Sequence, residues 1–112
     1  MVTVEVSSAP GGDVVVRPAG ELDLSHVDAL WAGVEQALAS QPTSVVIDLG
    51  SVTFCDSSIL SVFLRGAKEG AEAGTRVVLR DPRPNVRRVL QLSGLDGVLD
   101  VVDRGASAGS AP

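Results

Sequence analysis

The chain has 112 residues, of which 45% are hydrophobic and 21% charged. That length makes one domain, large enough to bury about two-thirds of its unfolded surface. A single cysteine, Cys55, excludes an internal disulfide and fits a reducing, cytoplasmic compartment; a formal net charge of −5 with Trp31, Phe54 and Phe63 as the only aromatic residues argues against nucleic-acid binding.

Residues 1–10 carry no charged segment leading into an apolar one, so no signal peptide is expected. The chain has no run of about 18 apolar residues, so no membrane insertion is expected either. Val2, Val4 and Val6 alternate with Thr3 and Glu5, the period-two pattern of a half-buried strand. Turn chemistry at Ala9-Pro10-Gly11-Gly12-Asp13 leads into Val14-Val15-Val16, which predicts a hairpin. Gly20-Glu21-Leu22-Asp23 separates strand from helix. Ser25 is the expected N-cap, with Asp28 three residues on. The helix it starts turns Val27, Leu30, Trp31, Val34 and Leu38 inward and runs to about Ser40, where Gln41-Pro42-Thr43 stops it.

The run 44–49, with Val45, Val46, Ile47 and Leu49, suits a strand covered on both faces. Residues 50–56 read as a loop carrying Val52 and Phe54. A second helix starts near Ser57, with Ile59, Leu60, Phe63, Leu64 and Ala67 on one face and Gly70 and Gly74 loosening its end. Val77-Val78-Leu79 is the centre of another strand. Pro84 is suited to a first helical position, Val86, Val89 and Leu90 face inward, and Gly94 with Leu95 forms the C-cap. Residues 98–102 make a last strand. The order β-β-α-β-α-β-α-β predicts an α/β fold: one mixed, mostly parallel sheet with helices packed on it and right-handed crossovers. The domain spans 1–103, and the small polar residues 104–112 are expected to form a disordered tail.

Charge is unevenly placed. Residues 18–64 contain no Lys or Arg but hold Glu21, Asp23, Asp28, Glu35, Asp48 and Asp56, and eight of the nine basic residues lie from Arg65 onward. Either these acids form a solvated face, or they meet a basic partner in a salt-sensitive encounter.

Enzymatic chemistry finds few candidates. The single lysine, Lys68, precedes Glu69, so there is no phosphate loop, and no Gly-x-Gly-x-x-Gly occurs. One histidine, His26, and one cysteine make no metal set; His26 reads as a solvated helix-start residue and Cys55 as a buried, inert thiol. No cofactor and no catalytic residue is assigned. Trp31 reads either as core or as an exposed anchor, and its spacing with Val27 and Val34 favours core. Asp56-Ser57-Ser58 remains. Its plain role is an N-cap, but a serine at a helix N-terminus also presents its hydroxyl beside free N–H donors, where a phosphate gains from the donors and the dipole. If the Gly20 loop lies at the same sheet edge, the phosphate would stand near Asp23 and Asp56 and change what can dock there.

Three segments, in order, resemble a STAS domain, and more narrowly a bacterial anti-sigma factor antagonist. They are Gly20-Glu21-Leu22-Asp23; then Val46-Ile47-Asp48-Leu49 with Val52-Thr53-Phe54-Cys55-Asp56-Ser57-Ser58; and Val86-Arg87-Arg88-Val89-Leu90-Gln91-Leu92-Ser93-Gly94-Leu95. The resemblance covers about residues 2–102. It implies a non-enzymatic regulator of sigma-factor-dependent transcription that binds an anti-sigma factor of the Ser/Thr-kinase type. Phosphorylation at Ser57 would release it, and a phosphatase would reset it. ATP and Mg²⁺ would belong to the kinase. Glu21, Asp23, Asp56, Ser57, Ser58 and Ile59 are then the expected partner-binding residues.

Two departures from the family pattern stand out. Ile59 replaces the usual Gly, so it either packs inward or is an exposed anchor that changes partner choice. The departure at Ile59 also supports an alternative reading, a non-phosphorylated STAS subunit of a lipid-transport or stress-sensing assembly. The family's frequent final helix is replaced by the Gly/Ala/Ser tail, leaving one sheet face less covered or covered by a second subunit in a weak homodimer.

Overall fold

Valine-rich alternation gives β1 (Thr3–Ala9) and β2 (Asp13–Leu22), an antiparallel pair joined by a 3-10 turn at Pro10–Gly12, with Val6 opposite Val16. This computed structural model describes residues 1–103, so the tail expected over 104–112 lies outside the described residues. After β2 come α1 (Val27–Ala39), β3 (Ser44–Asp48), β4 (Val52–Cys55), α2 (Ser57–Ala73), β5 (Arg76–Arg80), α3 (Pro84–Ser93) and β6 (Asp100–Val102). The sheet order is β1-β2-β3-β5-β6, parallel from β2 onward, and β4 pairs in parallel with the end of β2.

One difference from the sequence expectation matters for the site. Residues 50–56 are not wholly loop: Val52–Cys55 is a strand. Four residues are too few to show a period, and the pairing depends on a partner 32 positions earlier, Gly20 opposite Val52. The first half of β2 pairs with β3, and its last three residues pair with β4 after a register shift between Gly20 and Glu21. Gly20 makes the shift possible. Its φ is +104°, and a Cβ there would stand 2.7 Å from the Met1 carbonyl oxygen.

The core lies between the sheet and the three helices. Val14, Val16, Val45, Ile47 and Leu79 face Leu30, Val34, Phe63 and Leu90. On α2 the inward face is Ile59, Leu60, Val62, Phe63, Gly66 and Gly70, while Leu64, expected inside, is 39% exposed. Gly33 lets α1 lie close on β1, since a Cβ there would meet Val4 Cγ1 at 2.7 Å. The expected inward Val86 and the Gly94 cap of α3 are present. The last strand is shorter than expected, because Val98 stands exposed before it.

Among the described residues the other sheet face carries no helix. Val15, Val46 and Val78 form a row across β2, β3 and β5. Next to it, Arg17 and Arg80 both reach Asp48, at 3.3 and 3.0 Å. Every residue from Val45 to Asp48 is therefore buried, as a doubly covered strand would be, but the second cover is valines and an ionic bridge rather than helices.

Candidate functional site

β2 and β4 end side by side, with Leu22 paired to Cys55, both buried. The next residue on each strand is an aspartate, and the Asp56 N–H donates to the Leu22 carbonyl at 3.1 Å. Neighbouring strands run about 4.8 Å apart, so Asp23 and Asp56 stand together at one sheet edge.

Each aspartate caps the helical segment next in the chain. Asp23 accepts the Ser25 N–H at 2.9 Å and the Ser25 hydroxyl at 2.6 Å, and so starts a 3-10 turn, Leu24–His26, that leads into α1. The expected cap at Ser25 is thereby corrected: Ser25 is the donor, and Asp23 is the cap. The Ser25 hydroxyl, with the Ser25 N–H, holds the Asp23 carboxyl below its ordinary range. His26 completes this start, its Nδ1 accepting the Asp23 N–H at 3.2 Å. The Asp23-x-x-His26 spacing was the available signal for that contact.

Asp56 repeats the arrangement for α2. Its Oδ1 accepts the Ser58 N–H at 3.0 Å and also the Ser58 hydroxyl. The two adjacent serines are thus unequal. Ser58 is half-buried with its hydroxyl held by Asp56. Ser57, the first residue of α2, is exposed, and its hydroxyl bonds to no described residue.

Glu21 lies opposite Phe54 across the β2–β4 pair, and both are exposed, as is Leu24 next to Asp23. Glu21, Asp23, Asp56, Ser57 and Ser58 are therefore gathered at one edge. Ile59 is not among the surface residues: it is 0% exposed and packs into the core. Of its two expected roles the structure takes the inward one. That removes its side chain from the contact surface.

Cys55 is sealed beneath the edge. Burial, with the Asp56 charge beside it, pushes its thiol up to about 12, so it stays protonated. Asn85 of α3 donates to the Thr53 carbonyl at 2.7 Å, and Arg83 to the Gly50 carbonyl at 3.0 Å, fastening α3 to the β4 segment. Among the described residues no three His, Cys, Asp or Glu side chains converge to hold a metal ion, and no helix is long and apolar enough to cross a membrane.

Sequence reasoning missed the seam between α1 and α2. Trp31, expected in the core, is only half-buried, and the Arg65 guanidinium lies 3.9 Å from its ring centroid. The two are 34 positions apart, and no local pattern links them.

The family model described as "Mlab, STAS domain" matches residues 6–102. The anti-sigma F factor antagonist of Lysinibacillus sphaericus is 34% identical over 83 residues, 73% of this chain and 71% of that protein. Among solved structures, an anti-sigma factor antagonist from Mycobacterium paratuberculosis superposes with a TM-score of 0.80 at 31% identity, over 99% of this chain and 93% of that one. The Bacillus cell fate determinant SpoIIAA in its phosphorylated form superposes with a TM-score of 0.67 at 27% identity, over 98% and 100%.

Proposed function

Because the chain belongs to the STAS-domain family of anti-sigma factor antagonists, we propose that it binds an anti-sigma factor of the Ser/Thr-kinase type at the acidic edge around Ser57 and is released when that kinase phosphorylates Ser57. The observation that carries this reading is the inequality of the two serines: Ser57 offers an exposed, uncommitted hydroxyl at a helix tip, and Asp56 occupies that of Ser58. That a phosphorylated form of the relative SpoIIAA has been solved supports the same reading.

In the transfer, Ser57 Oγ bonds to the γ-phosphorus of ATP, the hydroxyl proton leaves, and the bond to ADP breaks. ATP and Mg²⁺ are held by the kinase. The new group carries about −1.5 to −2 charges at pH 7. The positive end of the α2 dipole offsets part of this charge. Release then needs no unfolding. A partner closed over this edge would have to bury a hydrated dianion beside Glu21, Asp23 and Asp56, which removes its affinity. A phosphatase restores the binding form by hydrolysis.

The test is incubation with the purified cognate anti-sigma factor and Mg-ATP, followed by intact-mass and peptide mapping. One phosphoryl group on Ser57 is expected, absent in Ser57→Ala and retained in Ser58→Ala. A stable complex with no phosphoryl gain on Ser57 removes the phosphorylation switch.

A further inference from the structure

A small cleft opens between the first turn of α1 and the second and third turns of α2, lined by Val27, Asp28 and Trp31 on one side and Ser61, Val62 and Arg65 on the other, with a volume of about 90 Å³. Ser61 lies one helical turn beyond Ser57 on the same exposed face, about 5–6 Å away by helix geometry. The 3-10 turn started by Asp23 packs against both helices. The cleft is thus continuous with the edge around Ser57.

Its size excludes a nucleotide or other cofactor, which needs roughly 300–1,000 Å³. It exceeds the ~30 Å³ share of one water and falls short of the ~150 Å³ that holds benzene, the range of one aliphatic side chain. Its apolar lining is Val27, Trp31 and Val62, with one face of the Trp31 ring covered by Arg65. Its rim is acidic. Asp28 stands exposed there, Glu21, Asp23 and Asp56 lie along the adjoining edge, and no Lys or Arg occurs between residues 18 and 64. The one nearby cation, Arg65, is already engaged by the ring and by Glu69 at 2.9 Å.

We infer that the cleft is an anchor site for the partner proposed above: an aliphatic side chain of the anti-sigma factor, flanked by Lys or Arg, seats on Trp31 while the neighbouring surface closes over Ser57. Half-buried tryptophans in such preformed hollows are frequent sites of concentrated binding energy. The acidic rim selects the flanking cations and speeds encounter. Phosphate on Ser57 then lifts the partner from the tip, and the anchor leaves with it because both contacts belong to one rigid surface. This inference rests on the proposed function, and its test separates the two.

Trp31 is the only tryptophan, so the full chain labelled with 5-fluorotryptophan gives one ¹⁹F resonance reporting on the cleft. Titration with the unlabelled, purified cognate anti-sigma factor should shift that resonance, and phosphorylation of Ser57 should return it. Ser61→Phe, at an exposed position, fills the cleft and should weaken the complex at least tenfold while circular dichroism stays native. A complex that forms without moving the resonance, or that tolerates Ser61→Phe, overturns the anchor and leaves the proposed function standing. A shift produced by raising the chain's own concentration with no partner present makes the cleft a self-contact and also overturns it. Absence of both complex and phosphorylation removes the proposed function, and the anchor with it.

Discussion

At the scale of single residues, Asp56 has two duties that can be measured apart. As the cap of α2 it satisfies the Ser58 N–H, and losing it costs about 1 kcal/mol. It also occupies the Ser58 hydroxyl. Asp56→Ala should lower urea-unfolding stability by that amount and make Ser58 a second phosphoacceptor. A doubly phosphorylated species in the kinase assay would show it, and a variant still modified on Ser57 alone would deny the selecting duty. Asp48 is a different case. Burial alone would raise its carboxyl, but the Gly50 N–H, Arg80 and Arg17 outweigh burial and hold it below the ordinary 3.8. A folded-state value below the unfolded one means that its stabilising contribution is complete above about pH 4 and is lost as pH falls through the folded value. Asp48→Asn leaves two guanidinium groups facing each other, so about 1–3 kcal/mol should be lost at pH 7, with a shallower decline in acid. An unchanged acid limb in denaturation against pH would contradict this. Asp56-Ser57-Ser58 was legible because the string immediately precedes an apolar helical period. The Arg17–Asp48–Arg80 bridge was not, since its members lie 31 and 32 positions apart and meet only when β2, β3 and β5 are in register.

At the scale of elements, the helices and most strands could be read, and β4 could not. α1, α2 and α3 are where their apolar spacing places them, whereas β4 has four residues and exists because β2 continues past its bulge. Leu64 shows the limit of a helical pattern. It directly succeeds Phe63, but the buried arc of α2 is centred on Ile59, Val62, Phe63 and Gly66, which turns residue 64 toward solvent. Ile59 shows the reverse, since the same arc that hides it settles a question that its identity alone left open. The packing of α1 on β1 gives a sharp test. Gly33→Ala would normally gain about 1 kcal/mol of helix propensity. Here the added methyl meets Val4 at 2.7 Å, and overpacking of this kind costs about 1–3 kcal/mol. Thermal unfolding of the variant should therefore show no gain and most often a loss; a raised midpoint would mean that α1 is not pressed against β1.

At the scale of the whole molecule, charge and architecture divide the surface. The helices cover one face of the sheet, the row Val15, Val46 and Val78 with its ionic bridge closes the other, and the acidic edge sits where two parallel strands deliver their helices. The α/β layering was readable from the alternation of elements, but which strand ends meet was not, because adjacency in a sheet is a long-range property. The strand β2 serves two ladders, joined to β3 by its first half and to β4 by only its last three residues. The short ladder can open while the long one stays closed. Amide deuteration should therefore be faster at residues 20–22 and 52–55 than at 14–16 and 45–47. The edge that carries Ser57 would then breathe independently of the scaffold beneath it, without loosening the domain.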